Sequence, residues 1–307
     1  MATTTKNVNT TTRYDHPVNV VFQKQCLKTL KPKLLYAILA EKVGMPKNAG
    51  EVVKWRRLAK FGAQTTPLNE IGEPTPLLGS KTDISASVKP YGAVVVRSKW
   101  LNMTGLGQEQ QMTVDELIDA RDLTVDTLSK DVLAGAASST TCSHGTGTAT
   151  FLNAEDIDAV VQALLNEDCE PPYPILKAGR GVGTTPIEQA FPVIANVKCW
   201  TKLKAVSGFV PVASYPAQTN LLPGEVGSIG MTRWCLTSNG YYDGSTYYYA
   251  TVLSRGAYGN VEIDGSKEPI IRKEIGVINP VQHIGWYMTH VSKILDEIRL
   301  HNLKFTI

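Results

Sequence analysis

The chain lacks the sequence patterns of metal and disulfide sites. Its 307 residues include five cysteines, none of them in CxxC spacing: Cys26, Cys142, Cys169, Cys199 and Cys235. An odd number of scattered thiols is typical of reduced cysteines rather than of a disulfide framework or a zinc site. The five histidines are also isolated, without a carboxylate placed to orient them as ligands. We therefore expect no bound metal and no disulfide.

Long apolar runs are missing as well. None approaches the roughly 18 residues that a membrane span needs. The N-terminal sequence MATTTKNVNTTTRYDH contains no apolar core of a signal peptide. We therefore expect no membrane contact and no secretion. This argues against a secreted glycan- or surface-binding protein, a class that the Tyr and Thr content leaves open.

No complete phosphate-binding or dinucleotide-binding motif is present in the sequence. Residues 179–185, GRGVGTT, lack the GK[ST] ending of a phosphate loop. Pro186 and Pro192 interrupt the helix that a dinucleotide fingerprint requires. We interpret this segment as a surface loop and expect no cofactor.

A nucleophile in a rigid setting is also absent from the sequence pattern. Cys142, Ser143 and His144 are adjacent, but they lie in a small-residue linker, residues 136–150, without a strand-to-helix turn. The sequence therefore favours a protein that is not an enzyme. The alternative is a soluble α+β enzyme that uses the loop at 136–150 or at 179–185. Burial of Cys142 or His144 beside a carboxylate would support that alternative.

What the chain does have is an uneven distribution of charge. The formal net charge is only +3. Residues 1–60, however, contain 12 Lys and Arg against 3 Asp and Glu, whereas residues 105–170 contain 2 against 13. Either both segments are solvated faces, or the basic segment of one copy lies on the acidic segment of a neighbouring copy.

A long hairpin is predicted over residues 45–98. Val52–Leu58 and Ile84–Val96 have the composition of strands, and the Pro, Gly and Thr residues between them are typical of turns and loops. A connection of about fifty residues has little core of its own, and long loops inside compact domains are usually functional. Such an arm needs a surface to lie on, which indicates an assembly protein more than an enzyme.

Three amphipathic segments are predicted to be helical. A short helix is expected within residues 25–44, because apolar residues repeat at helical spacing after Pro32. A long helix is expected over residues 113–134, where Thr113 and Glu116 have the spacing of a capping box. A third is expected from 154 to 166. Short apolar runs that alternate with Pro and Gly follow from residue 171, and they predict strands in an α+β protein.

Several sequence blocks, in this order, carry a resemblance to a known family. They are MPKNAGEVVKWRR with TTPLNE (45–57 and 65–70), ISASVKPYGAVVVRS (84–98), TVDELIDARDLTVDTLSKDVLAGA (113–136), PGEVGSIGMTRWCLTSN (223–239), AYG (257–259) and NP with QHIGW (279–286). The chain resembles the major capsid proteins of tailed double-stranded DNA phages, and within them the subfamily typified by coliphage N-four. Encapsulins use the same fold.

The resemblance implies an α+β, Hong Kong 97-like major capsid fold. Its parts would be an N-terminal arm (1–24), a short helix (25–44), an extended β-hairpin loop (45–98), a peripheral domain (99–154 and 263–307) with a spine helix (113–134), and an axial domain (155–262). It also implies self-assembly as hexamers and pentamers into an icosahedral shell around packaged double-stranded DNA. The protein would be found in the virion and, during assembly, in the host cytoplasm. An encapsulin-like nanocompartment is the alternative within the fold.

The charge distribution and the resemblance together predict contacts between subunits. The contributing residues are Lys47, Lys54, Trp55, Arg56, Arg57 and Lys60 of the extended loop, and Asp115, Asp119, Asp122 and Asp126 of the spine helix. Exposed ion pairs contribute only ~0–1 kcal/mol each, but each subunit of a shell is held at many sites at once. Portal, scaffolding and decoration proteins are further expected partners, and packaged DNA is a nonspecific one. We expect no catalytic residue.

Overall fold

The fold is described from a computed structural model of the chain. It describes residues 30–68, 70, 73–74, 76–104, 109–144, 149–176, 187–215, 221–263, 269–273 and 281–307. The predicted N-terminal arm at 1–24 and the loop at 179–185 lie outside the described residues.

Strands dominate the described part of the chain. They are β1 (Glu41–Met45), β2 (Val52–Leu58), β3 (Lys81–Ser87), β4 (Lys89–Ser98), β5 (Ser139–Thr141), β6 (Phe191–Asn196), β7 (Phe209–Pro211), β8 (Glu225–Ile229), β9 (Thr232–Thr237), β10 (Tyr248–Leu253), β11 (Tyr258–Ile263), β12 (Pro269–Lys273), β13 (Val281–Ile294) and β14 (Leu300–Phe305). The helices are α1 (Lys99–Thr104), α2 (Glu109–Ala134), α3 (Ala154–Asn166) and α4 (Trp200–Ala205), and 3₁₀ turns span Val197–Cys199, Val212–Ser214 and Glu297–Arg299. The fold is therefore mixed α+β, as predicted.

A seven-stranded sheet forms the larger core. Its order is β5-β14-β10-β6-β9-β8-β7, with parallel pairing of β6 with β9 and of β14 with β5. Every residue of β6 and β9 is buried, as is typical of strands covered on both faces. Helix α3 buries Ile157, Val160, Val161 and Leu164 in the same core. Its predicted bounds are confirmed, and the side chain of Asn153 accepts a hydrogen bond from the backbone N of Asp156 at 2.7 Å as its N-cap.

A five-stranded sheet packs against the long helix. The strands β1, β11, β13 and β12 are neighbours in that order, and β4 pairs with the other edge of β13. Ile284, Trp286 and Met288 alternate along β13 and pack on Val114 and Leu117 of α2. A long helix over this region was predicted, but it begins at Glu109 rather than at residue 113. Since Thr113 lies inside the helix, it is not the cap that its spacing suggested.

The predicted helix at residues 25–44 is wrong in its described part, residues 30–44. That part contains a single turn followed by β1, which pairs in parallel with β11. Tertiary hydrogen bonds replace helical ones: the Tyr36 carbonyl accepts from the Tyr258 hydroxyl at 2.5 Å, and the Ala37 amide donates to Asp126. Ile38, from the predicted apolar stripe, is 49% exposed. Tertiary contacts of the backbone therefore override helical spacing here.

The second arm of the predicted hairpin is divided between two sheets. β2 pairs only with β3, from Val52 opposite Ser87 to Leu58 opposite Lys81. After Val88 the chain continues as β4, which pairs with β13. A Cβ at Gly92 would lie 2.9 Å from the carbonyl oxygen of Trp286, so the close approach of these strands requires glycine there. The free hairpin is accordingly shorter than residues 45–98.

The two sheets exchange strands, which the predicted domain ranges did not anticipate. The range 155–262 included most of β11, yet β11 lies in the five-stranded sheet beside β13. The range 263–307 included β14, yet β14 pairs with β10 in the seven-stranded sheet. Gly256, with a φ of +69°, lies between β10 and β11. A left-handed backbone at this point turns the chain from one sheet to the other.

Candidate functional site

The hairpin, which we define as β2, β3 and the residues between them, is largely exposed in its described part. One face of the two strands, with Val53, Trp55, Ile84 and Ala86, is partly or fully buried. The ring of Trp55 lies over β11, because its Cζ2 would be 3.5 Å from a Cβ at Gly259. The base of the hairpin therefore rests on the five-stranded sheet through this tryptophan.

The tip of the hairpin, residues 59–80, has no cover. All of its described residues are exposed. They include large apolar side chains: Phe61 is 58% exposed, Leu68 68%, Leu77 51% and Leu78 93%. Several large apolar side chains exposed on one segment are typical of surfaces that meet another molecule. The tip therefore has the character of a contact surface.

Three of the predicted hairpin cations have partners within the chain. Arg56 pairs across the hairpin with Asp83, with 2.9 Å between Nε and Oδ1. This pair lowers the pKa of Asp83. Arg57 pairs with Asp296, and Lys60 pairs with Asp168. Part of the positive charge of the hairpin is therefore paired with carboxylates of the same chain.

Lys47 and Lys54 differ from these three. Within the part of the chain that the structure describes, neither forms an ion pair. The charge of Lys54 contributes to the lowered pKa of Asp83, after the larger effect of Arg56. Both lysines are exposed. They remain available for the contacts between subunits that we predicted for them.

The predicted acidic residues of α2 have unequal surroundings. Asp115 is exposed and accepts a hydrogen bond from Gln111 Nε2 at 3.2 Å. The side chain of Asp119 is 33% exposed and pairs with Lys31, and that of Asp122 is 42% exposed and pairs with Arg121. These three carboxylates are accessible to a neighbouring molecule.

The prediction that Asp126 contacts a neighbouring subunit is wrong. This side chain is fully buried. Its carboxylate accepts hydrogen bonds from the backbone N of Ala37 at 3.0 Å and from Asn239 Nδ2 at 2.8 Å. Removal from water raises its pKa. Asp126 therefore joins α2 to the segment before β1, and this role could not be read from its helical spacing.

The loop that the enzyme alternative would use places Cys142 beside a carboxylate. Cys142 is fully buried, and Asp156 Oδ2 accepts hydrogen bonds from the backbone N of Ser143 at 2.9 Å and of His144 at 3.3 Å. Burial, with a smaller effect of Asp156, raises the pKa of Cys142 to about 12. Burial of Cys142 beside a carboxylate is the arrangement that would support the enzyme alternative, but a thiol that stays protonated is a poor nucleophile. The geometry therefore favours a structural use of this carboxylate, which fixes the loop.

Nothing resembling a metal site occurs among the described residues, where no group of three His, Cys, Asp or Glu side chains could hold an ion. Likewise, no described helix is long and apolar enough to cross a membrane.

Sequence reasoning missed several residues that shape these surfaces. Asp168 and Asp296, the partners of Lys60 and Arg57, lie far from the hairpin in the sequence, and no local pattern connects them with it. It also missed a buried pair in the seven-stranded sheet, in which Arg233 Nη2 lies 2.6 Å from Glu225 Oε2 and both side chains are 1% exposed. The available signal for that pair was a single charged residue in each of two otherwise uncharged strands, β8 and β9.

Comparison with known proteins identifies the fold. No protein-family model matches the sequence, and no curated protein does. Solved structures match over nearly the whole chain. The capsid of Ralstonia phage GP4 has a TM-score of 0.70 at 13% identity, covering 94% of this chain and 95% of that chain. The capsid of cyanophage P-SCSP1u has a TM-score of 0.68 at 11% identity, covering 95% and 94%.

A third similar structure is the acid-stable capsid of Helicobacter pylori bacteriophage KHP30, with a TM-score of 0.67 at 10% identity and coverage of 100% of both chains. Identities this low show the fold alone. The chain therefore has the fold of phage capsid proteins, which confirms at this level the resemblance seen in the sequence.

Proposed function

We propose that the chain is the major capsid protein of a tailed phage. Copies would assemble as hexamers and pentamers into an icosahedral shell that encloses packaged double-stranded DNA. The observation that carries this proposal is a fold shared from end to end with phage capsid structures, since each covers almost all of the other. We retain the Hong Kong 97-like division into arm, loop, spine helix, peripheral and axial domains, and the coliphage N-four-like subfamily, as parts of the proposal.

The exposed hairpin tip supports self-assembly. Its apolar side chains, Phe61, Leu68, Leu77 and Leu78, contact little of their own chain. Covering them would remove apolar surface from water at about 25 cal/mol per Å². In a shell, the tip of one copy would lie over the next copy, and this burial would recur at every subunit.

The charged residues support one orientation for that contact. Lys47 and Lys54 of the hairpin region would face the accessible carboxylates Asp115, Asp119 and Asp122 on the spine helix of a neighbour. Asp126 takes no part, because it is buried. Attraction between opposite charges would guide the register of the contact more than its strength.

The remaining partners follow from the same proposal. A capsid protein of this kind would meet portal, scaffolding and decoration proteins, and its location would be the virion, with the host cytoplasm as the place of assembly. Catalysis is not part of the proposed role.

Electron microscopy of the purified full chain tests the proposal directly. The chain would be expressed alone and together with the genes adjacent to its own, and examined by negative stain and by sedimentation. We expect closed polyhedral particles, or rings of five and six subunits. A discrete monomer or dimer in both preparations, over a wide range of protein and salt concentration, would contradict the proposal.

A further inference from the structure

We propose that the free chain holds its hairpin closed over its own body by two ion pairs, Arg57–Asp296 and Lys60–Asp168, and that assembly releases them. We call these four residues the latch. The inference rests on the proposed function, because it concerns the hairpin before it meets a neighbouring copy.

The first pair joins the tip-side end of β2 to the body of the chain. Arg57 is near the end of β2, and its partner carboxylate on Asp296 is only 12% exposed. Asp296 also faces Arg299 Nε at 3.4 Å and accepts a hydrogen bond from the backbone N of Ile298 at 3.3 Å. Because this carboxylate is held by its own loop, it offers the hairpin a fixed point on the body.

The second pair lies farther out and is weaker. The side chains of Lys60 and Asp168 are 82% and 76% exposed, and pairs this exposed contribute little to stability. A cleft of about 580 Å³ separates the hairpin from the body here, with Thr82 on one side and Arg255 on the other. At this cleft, an ion pair rather than apolar packing joins the hairpin to the body, and an exposed ion pair opens readily.

Asp168 occupies a backbone position that usually favours glycine. It follows the end of α3 with a φ of +57°. The amides of Asp168 and Cys169 donate to the carbonyls of Leu165 and Leu164, at 3.0 and 3.1 Å. This is the Schellman arrangement, whose left-handed residue is usually glycine. An aspartate there accepts some backbone strain and gains a carboxylate that meets Lys60.

The latch competes with assembly. Arg57 and Lys60 are among the cations that we expect on a neighbour's acidic helix. Neither can make its best contact with its own carboxylate and with a neighbour at the same time. Closed copies therefore assemble less readily, and docking on a neighbour replaces the internal pairs with external ones.

The pH dependence of the outer pair follows from the same geometry. Pairing with Lys60 lowers the pKa of Asp168 below its ordinary value of 3.8. A lowered carboxyl pKa means that the contribution of the pair is complete above the ordinary value and is lost as the pH falls through the lowered one. The contribution of the outer pair is therefore complete at neutral pH.

A distance measurement between the hairpin and the body tests the latch in the free chain. Nitroxide labels would be placed at Gln64→Cys on the tip and Gln162→Cys on α3, both exposed positions. The background would carry Cys26→Ser, because the other four cysteines are buried. Electron-electron resonance then reports the closed and open populations at low protein concentration.

The test variants remove charge and keep shape. Asn tolerates a left-handed backbone as Asp does, so Asp168→Asn preserves the helix end. Asp296→Asn keeps an oxygen for the Ile298 amide. Glu167→Gln is the matched control, since Glu167 is exposed, adjacent to Asp168, and forms no ion pair in the described chain. We expect ~2- to 5-fold lower closed-to-open ratios for Asp168→Asn, a larger decrease for Asp296→Asn, and no change for the control.

Assembly is the second readout, and it separates this inference from the proposed function. Opened variants are expected to form particles at lower protein concentration than the unmodified chain. Label distances that match the control in both variants would overturn the latch. So would variants that open but need the same or a higher protein concentration to assemble than the unmodified chain, provided that the unmodified chain assembles. If the variants open but neither they nor the unmodified chain assemble, the proposed function is contradicted, while the two ion pairs are still shown to keep the hairpin closed.

Discussion

The seven-stranded sheet and the hairpin show opposite relations between apolar residues and water. In the sheet, all residues of β6 and β9 are buried, and Trp234 and Phe191 are fully enclosed. In the hairpin, Leu78 is 93% exposed and Leu58 75% exposed. The first region is completed by its own chain. In the proposed shell, the second would be completed by a neighbouring copy, so stability and assembly are expected to respond to different residues.

Removing the tip should abolish assembly and leave the fold intact, which is the largest effect we expect. Residues 59–80 would be replaced by Asn-Gly, a turn that joins paired strands directly. Since every described residue of the tip is exposed, thermal unfolding should match that of the unmodified chain by circular dichroism, while electron microscopy should show no shells. Aggregation of the variant, or complete shells, would refute the assembly role of the tip.

Truncating the sheet core should have the reverse effect. Trp234→Ala removes a fully buried side chain and should lower the free energy of unfolding by ~3–5 kcal/mol. Leu78→Ser in the tip is the matched change at an exposed apolar residue, and should alter stability by less than about 0.5 kcal/mol. Denaturant unfolding of both variants measures the difference. Equal decreases in the free energy of unfolding would show that the two regions do not differ in their contribution to stability.

Within α2, the same contrast can be made between two aspartates. Asp126→Ala leaves the Ala37 amide and the Asn239 side chain without their buried acceptor, and should cost ~1–3 kcal/mol. Asp115→Ala, at an exposed residue, should leave the unfolding free energy nearly unchanged and act only on assembly. Similar unfolding midpoints for both variants would show that the buried and the exposed aspartate contribute equally to stability, against this prediction.

Reversing the charges of Lys47 and Lys54, which form no ion pair within the described residues, should give the smallest effect, and one that depends on salt. Lys47→Glu with Lys54→Glu should raise the protein concentration needed for assembly at low salt, because each exposed pair is worth ~0–1 kcal/mol. At high salt the effect should shrink through screening. Lys198→Glu with Lys204→Glu, exposed residues outside the hairpin, is the control. An effect of equal size at low and high salt would argue against electrostatic docking.

Local patterns predicted some elements well and others badly, for identifiable reasons. Helix α3 was predicted to its ends because its apolar spacing and its Asn153 cap agree with its packing. The segment at 30–44 has similar spacing but becomes a turn and a strand, since its amides and carbonyls bond to Asp126 and Tyr258. Partners about ninety and more than two hundred residues away cannot be seen in a short sequence window.

The candidate site divides in the same way. The exposed, basic hairpin was predicted from its composition, and the carboxylates Asp115, Asp119 and Asp122 from the charge distribution together with the family resemblance. Asp126 continues the helical spacing of these three aspartates but is buried, because the segment before β1 packs on α2 at this residue. The internal partners of Arg57 and Lys60 became visible only once the fold brought residues 168 and 296 to the hairpin.

The sequence by itself determined the α+β class, the long helix, the exposed hairpin and the likeness to phage capsid proteins, because each of these follows from local spacing, from composition or from ordered blocks of residues. Only the tertiary structure decided which strands share a sheet, which aspartate is buried and which hairpin cations are already paired. Those features depend on contacts between residues far apart in the chain, and such contacts are set by the packing of the whole molecule rather than by any one segment.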